Sequence, residues 1–388
     1  MFLKRGLAVL ALLCAVTCAS AQVQNGKLQI HHVDMGQGDG GVLITPKGVV
    51  VLFDAGRDIA KQKTCSSEID YLDQLGVKQV DFIFVSHYHD DHIGCIPAVL
   101  AKFPLQHESY DRGSEPAKPT TAYKNYIKAV GDHRKTATLD QAITLDPGAA
   151  PVTLKVIALN GTFRGGAVDA KDENDVSMSV LVSFGGFREE IGGDLSGEKT
   201  GRYVDVETGA DPEAGPLDVY KVHHHCSSHS SNENWLGATK PTVAIISTGL
   251  KNTYHHPAAD CVQRLHEAEI LGVYWTEAGN GEPPKSDDIV GGDIIVEVPA
   301  NGSTYTISHN DGEIDTYKIK SPPAHGNAMA VMPENVAASP KYAWSVRSRF
   351  YHEADCPAVK RISKANLQTG DIPPEGKTLS SCVLAPPQ

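Results

Sequence analysis

The sequence predicts a layered α/β fold with helices outside two packed β-sheets. Three observations lead there. Apolar runs at 42–45 and 49–53 flank Pro46-Lys47-Gly48, as in a hairpin. Further along, apolar runs alternate with segments of helical spacing. The composition is 41% hydrophobic and 21% charged, an ordinary globular balance without general disorder. A length of 388 residues suffices for one large core with an appendage, or for two domains.

The first element is not part of the fold. Lys4 and Arg5 precede an apolar stretch at 7–16, and Ala19-Ser20-Ala21 reads as a small-x-small cleavage site. Residues 1–21 are therefore expected to be a signal peptide, and the mature protein periplasmic or secreted. Residues 28–33 read as a strand, 36–41 as a Gly-rich turn, and the hairpin closes on Asp54-Ala55-Gly56. Residues 66–75 have helical spacing, 80–85 form a fully apolar strand, and 93–103 again look helical. From 108 to 146 the pattern is polar, weak and loop-rich. Strands follow at 152–159, 177–184, 187–191 and 218–222, the last ending in histidines. A short helix at 232–237, a strand at 242–247, a helix at 258–268 and strands at 273–276, 293–298 and 303–307 complete the set. This main domain is expected over 22–320. Residues 321–341 are rich in Pro, Ala and Gly and read as a linker, and 342–388 as a small Cys-containing module.

The formal net charge is −12, the wrong sign for holding nucleic acid on a broad basic face. An anionic substrate would need a local attraction, such as metal ions. Of eight cysteines, Cys14 and Cys18 leave with the signal. Six remain, an even number that favours disulfides in an exported chain, with fifteen arithmetic pairings. Proximity in the tail favours Cys356 with Cys382.

The chemistry centres on Ser86-His87-Tyr88-His89-Asp90-Asp91-His92, where the 80–85 strand stops. Alternation along an extended chain puts His87 and His89 on one side, able to bind one divalent ion. Asp91 and His92 begin the next helix and can bind a second ion. Such nitrogen and oxygen ligands suit zinc, or manganese where carboxylates dominate. Two close ions can activate a bridging hydroxide. The bland alternative is a His-rich surface loop, which the strand–loop–helix context disfavours.

This motif resembles the signature loop of the metallo-β-lactamase superfamily. Further segments resemble the hydrolase domain of the competence-type DNA-internalisation proteins. These are His32-Val33-Asp34-Met35-Gly36-Gln37-Gly38-Asp39, Phe53-Asp54-Ala55-Gly56, Asn174-x-x-Ser177, Gly193-Asp194, Asp218 to Ser227 with its run His223-His224-His225, and Ser247 to Pro257. The resemblance covers about 28–270. It implies a four-layer αββα metallo-β-lactamase sandwich with a small C-terminal tail module. It implies a hydrolase holding two divalent metal ions on His87, His89, Asp91, His92 and Asp194, with Asp194 bridging. It places His256 as the last ligand, with one of His224 and His225 as the alternative. Asp91, His224, His225 and Asn174 are then the groups facing the substrate. Asn174 stands where the superfamily commonly has a ligand histidine, which implies a weaker first site. Asp54 is expected to orient a ligand histidine, with a solvated turn aspartate as the alternative. Cys95 and Cys226 occupy positions where the family usually has glycine, and the pairs Cys65–Cys95 and Cys226–Cys261 follow as expected partners. The tail from Phe350 to Cys382 resembles a short module appended to exported bacterial nucleases.

The implied function is an exported phosphodiesterase or nuclease-like enzyme acting on an anionic substrate such as nucleic acid, without stable membrane insertion. Two alternatives stay open: the same fold acting on a lactone, β-lactam or other acyl substrate, and a non-catalytic metal-stabilised envelope binding protein.

Overall fold

In the strands Gly40–Ile44 and Val50–Ala55 every residue is buried, so both faces of the sheet they share must be covered. Their side chains divide by period two. Leu43, Val51 and Phe53 enter one core; Val42, Ile44, Val50 and Leu52 enter another. The computed structural model that shows this describes residues 24–59, 63–310, 312–321 and 342–345, with short stretches between 348 and 379. The expected signal peptide, residues 322–341 of the expected linker, and Cys382 lie outside the described residues.

The first core is the seam between two sheets. Leu43, Val51, Phe53 and Phe84 of one sheet meet Val180, Val182, Val219 and Ile245 of the other. The first sheet runs Ile314–Lys318, Thr304–Ser308, Ile294–Pro299, Lys27–His32, Gly40–Ile44, Val50–Ala55, Phe82–Phe84, Ser109–Asp111, Arg134–Thr136. The second runs Gly166–Ala167, Thr162–Phe163, Val152–Leu159, Ser179–Phe184, Phe187–Ile191, Val219–Lys221, Val243–Ile246, Gly272–Trp275, Ile289–Val290, with Ala142–Leu145 also paired to Val152–Leu159. The helices Cys65–Leu75, Ile96–Lys102 and Thr121–Val130 cover the outer face of the first sheet through Leu72, Ile96, Val99 and Tyr126. Glu207–Ala214, Glu233–Thr239 and Ala259–Glu267 cover the second through Ala210, Trp235, Val262 and Leu265. The order is helix, sheet, sheet, helix, as expected.

In each sheet a parallel set brings loops to one edge. Phe82–Phe84 runs parallel to Val50–Ala55, and Val219–Lys221 parallel to both Phe187–Ile191 and Val243–Ile246. The carboxyl ends of these strands lead into the histidine and aspartate segments. That is the usual ligand position in open α/β sheets.

Three segments depart from expectation. Residues 108–146 are not loop-rich: they hold Thr121–Val130 as well as the strands Ser109–Asp111, Arg134–Thr136 and Ala142–Leu145. The helix buries only Tyr123, Tyr126 and Val130, a stripe too sparse to stand out among polar neighbours. The helix Glu207–Ala214 contains Pro212 and packs through Ala210 and Ala214, so its sequence carries little apolar periodicity. The edge strand Ile314–Lys318 extends the first sheet beyond the expected last strand.

The disulfides Cys65–Cys95 and Cys226–Cys261 are present as expected. The tail has its own sheet, ordered Leu367–Gly370, Tyr342–Ser345, Phe350–Glu353, Thr378–Leu379, and a small core of Ala343, Cys356 and Val359. The expected Cys356–Cys382 bridge falls outside the described residues.

Candidate metal centre

Asp54 fixes where the first histidine loop leaves its strand. The Ser86 N–H and hydroxyl donate to its two carboxylate oxygens at 2.8 and 2.6 Å. Beyond Ser86, the Tyr88 N–H donates to Glu173 at 2.9 Å, and Arg112 grips Glu173 with two nitrogens at 3.0 and 2.7 Å. The Tyr88 ring is buried under Arg112, so His87 and His89 point the other way, as alternation requires. The helix Asp90–Ile93 then presents Asp91 and His92.

Asp194 follows the strand Phe187–Ile191 through two glycines. Gly193 has φ +59°, and a Cβ there would lie 2.5 Å from the Ser86 Cβ, so no other residue fits this close approach of the two loops. The third loop leaves Val219–Lys221. His224, His225 and Cys226 all have positive φ (51°, 52° and 60°), a left-handed run that side chains disfavour. It persists because it is tied down. The His224 N–H donates to Gly193 at 3.0 Å, the Ala258 N–H donates to Cys226 at 2.8 Å, and Cys226 is bonded to Cys261.

These loops converge. His87 Nε2 lies 3.0 Å from His89 Nδ1 and 3.8 Å from Asp194 Oδ2. His92 Nε2 lies 3.3 Å from Asp194 Oδ1. His225 Nε2 lies 3.5 Å from the same oxygen and 3.7 Å from Asp91 Oδ2. Ligand atoms of His87, His92 and Asp194 lie within 4.8 Å of one another, as do those of Asp91, His92 and His225. The two groups have His92 in common, and Asp194 of the first also lies 3.5 Å from His225 in the second.

The outward nitrogens are already used. His92 Nδ1 donates to Asp54 at 2.8 Å, and His225 Nδ1 to the Ser247 carbonyl at 2.9 Å. That leaves each Nε2 with its lone pair aimed inward, as in a metal ligand held by a second partner. His92 Nε2, His225 Nε2 and Asp194 Oδ1 are buried with no hydrogen-bond partner among the described residues. Buried unpaired acceptors facing each other are unfavourable, and a divalent cation resolves all three at once. The residues present fit such an ion.

The charges agree. Burial alone would raise the Asp194 carboxyl, yet the imidazoles of His92, His225 and His224 hold it well below the usual carboxylate range. Burial opposes a charged His92, yet Asp194 and Asp54 push it well above its ordinary value, so without an ion a proton on Nε2 takes the place that the cation would fill. Burial, with His92 and His89 beside it, drives His87 well down. His224 is lowered to about 4, chiefly by burial.

Both candidates for the last ligand lie at the cleft. His225 Nε2 is 3.5 Å from Asp194, and the His256 ring stands 6.1 Å from the His225 ring and 5.6 Å from that of His224. The His256 N–H donates to the Asn252 amide oxygen, and the Asn252 amide nitrogen donates to the His256 carbonyl. His224 faces the cleft, its Nε2 3.7 Å from Asp194 Oδ2 and 3.2 Å from the Asn174 amide nitrogen. Asn174 is buried beside His224. Asp54 takes the orienting role expected of it.

Sequence reasoning missed Lys221. Its ammonium, buried in an apolar strand, lies 2.5 Å from Asp39 Oδ2, and Asp39 Oδ1 lies 3.4 Å from His225 Nδ1. A lysine inside the apolar run 218–222 was the available signal. Also missed were Arg57, Arg202, Tyr203 and Tyr254, which line the cleft of about 560 Å3 above the cluster. Arg57, Arg202 with Tyr203, and Tyr254 come from three separate loops; Tyr254 lies within the Ser247 to Pro257 segment, but its place at the cleft needed the fold.

Residues 41–249 match the Metallo-beta-lactamase superfamily. The chain is 27% identical over 277 residues to ComE operon protein 3 of Bacillus subtilis (strain 168), covering 68% of this chain and 33% of that protein. It is 27% identical over 285 residues to competence protein ComA of Neisseria gonorrhoeae, covering 70% and 35%. The chain thus spans about a third of the length of these competence-type relatives. Among solved structures it is similar to the metallo-beta-lactamase fold protein YhfI from Bacillus subtilis, with 12% identity and a TM-score of 0.40, covering 66% of this chain and 98% of that one.

Proposed function

The chain belongs to the metallo-β-lactamase superfamily, and from that premise we propose that it is an exported, binuclear metal-dependent phosphodiesterase. The observation that carries this reading is the pair of adjacent inward-facing donor groups that meet at His92 and Asp194, beneath a cleft that holds Arg57 and Arg202. His87, His89 and Asp194, with the Asn174 amide beside them, would hold one ion; Asp91, His92, Asp194 and His225 would hold the other. Nitrogen and oxygen donors favour zinc, with manganese as the alternative. Bound there, the ions supply Lewis acidity and a water-derived nucleophile at neutral pH.

The chain's own residues do the rest. Asp54 and the Ser247 carbonyl lock the imidazole orientations. His224 and Asn174 form the floor on which a phosphoryl oxygen would rest. Arg57 and Arg202 line the cleft, paired with Asp90 and Asp172, and would turn toward an anion there in a chain of net charge −12. Export is supported by the N-terminal sequence and the two disulfides. Among the described residues no helix is long and apolar enough to cross a membrane.

The test is hydrolysis of bis-p-nitrophenyl phosphate and of single-stranded DNA with zinc or manganese added, beside Asp194→Ala. Metal-dependent cleavage of both is expected, with at least about a hundredfold loss in the variant, since even supporting residues of metal sites are worth that much. Inactivity on both, with hydrolysis of a lactone or β-lactam, would replace the phosphodiester reading with the acyl one.

A further inference from the structure

Tyr254 is 55% exposed, yet it is not a loose side chain. It sits on a loop folded around one buried residue, Asn252. The Asn252 amide nitrogen donates to the carbonyls of Gly249 and His256, both at 2.8 Å. Its amide oxygen accepts from the N–H groups of Tyr254 at 3.2 Å and His256 at 2.9 Å. The Asn280 amide donates to the Asn252 carbonyl at 2.6 Å. One side chain thus closes the backbone on both sides of Tyr254, and the tyrosine is the residue left outside.

Its ring is backed. It stacks on His256 with centroids 5.7 Å apart and planes 26° apart, so one face is supported and the other is open to the cleft. The rings continue around the cleft: His256 lies 5.6 Å from His224, and His224 lies 6.0 Å from Tyr203, which carries the Arg202 guanidinium 5.0 Å above it. Only the Tyr254–His256 pair is stacked: His224 meets His256 and Tyr203 edge-on, at 79° and 77°, so Tyr254 presents the one backed flat face in this series of rings.

A large apolar ring held rigidly in water is unfavourable to the free protein and favourable to a ligand, because little side-chain freedom is lost on binding. We propose that Tyr254 is the specificity-determining residue of the cleft, the platform on which a planar group next to the scissile phosphodiester stacks, as a nucleobase would. This rests on the phosphodiester reading. It would let the site prefer a nucleic-acid strand to other phosphodiesters without reading sequence, because every base offers a flat face. Unpaired bases fit the platform, since paired ones are already stacked.

The experiment compares a single-stranded DNA oligonucleotide with an abasic strand of the same length and charge. Both are assayed with metal-loaded wild-type protein, Tyr254→Ala and Tyr254→Phe. For the base-bearing strand, Tyr254→Ala is expected to raise KM roughly 5- to 100-fold, the range of one base–aromatic stack, and Tyr254→Phe to stay within about twofold of wild type. For the abasic strand, KM is expected to be the same in all three proteins. An equal change on both strands, or no change on the base-bearing one, overturns the platform while leaving phosphodiester hydrolysis standing. So does a Tyr254→Phe variant as weak as Tyr254→Ala, because the hydroxyl would then be the contact. Failure of wild type to cleave either strand or bis-p-nitrophenyl phosphate overturns the phosphodiester reading itself, and the platform with it.

Discussion

Asp54 accepts from the Ser86 backbone, the Ser86 hydroxyl and His92 Nδ1, while its own φ is +56°. The orienting role is therefore the one the structure favours: Asp54 is buried rather than solvated, in a left-handed conformation Asp tolerates, and it holds His92. Burial, only partly offset by His92, raises its carboxyl above the ordinary value. Without it, His92 loses its outer partner and its fixed tautomer. Asp54→Ala is expected to weaken metal affinity about 10- to 100-fold, measured by competition with a chromophoric chelator. Unchanged affinity would show that Ser86 and the protein frame alone orient His92. At this scale the contiguous motif His87 to His92 was legible because its ligands are neighbours in sequence. The choice between His225 and His256 was not, because it depends on how far each loop reaches.

Among elements, the two disulfides stand out by position. Cys95 starts the helix that follows the first histidine loop, and Cys226 follows His225 directly. Their partners Cys65 and Cys261 lie in the outer helices Cys65–Leu75 and Ala259–Glu267. Each bond thus fastens a ligand loop to an outer layer, across 30 and 35 residues. Bridges of that span contribute about 3–4 kcal/mol each in the chain-entropy model. Reduction with a phosphine is expected to lower the melting temperature and release metal from the His224-His225 side, where the left-handed turn loses its tie. Retention of both stability and metal content after verified reduction would show that backbone contacts suffice. The strand Val152–Leu159 was readable because buried Val152, Leu154 and Val156 alternate with Thr153 and Lys155 before an apolar run to Leu159. Thr121–Val130 was not, since three buried residues on an exposed helix leave little trace.

For the whole molecule, stability should carry the mark of Glu68. It lies on the helix Cys65–Leu75, buried, with neither carboxylate oxygen partnered among the described residues. Burial pushes its pKa from 4.5 up to about 8. The folded state then keeps the proton that the unfolded chain releases. Its contribution is complete below about pH 4.5 and is lost as pH rises to about 8. Compared with wild type, Glu68→Gln is expected to flatten the fall of urea midpoints between pH 5 and 8 and to be the more stable protein at pH 8, by a few kcal/mol. Parallel midpoint curves for the two proteins would mean that Glu68 ionises freely in the fold.

The amino-acid order by itself determined the layers, the place of the first ligand loop and the family; it offered Cys65–Cys95 and Cys226–Cys261 among fifteen arithmetic pairings, and the fold made those bonds. Those features rest on local periodicity or on residues close in the chain. Tertiary structure alone decided that Asp39 and Lys221 meet under the site, 182 residues apart, and that His225 reaches the cluster. It also decided that Tyr254 stands open above the cleft. These depend on how separate loops approach at the edge of two sheets. That approach is set by close contacts such as Gly193 against Ser86, which have no period to read.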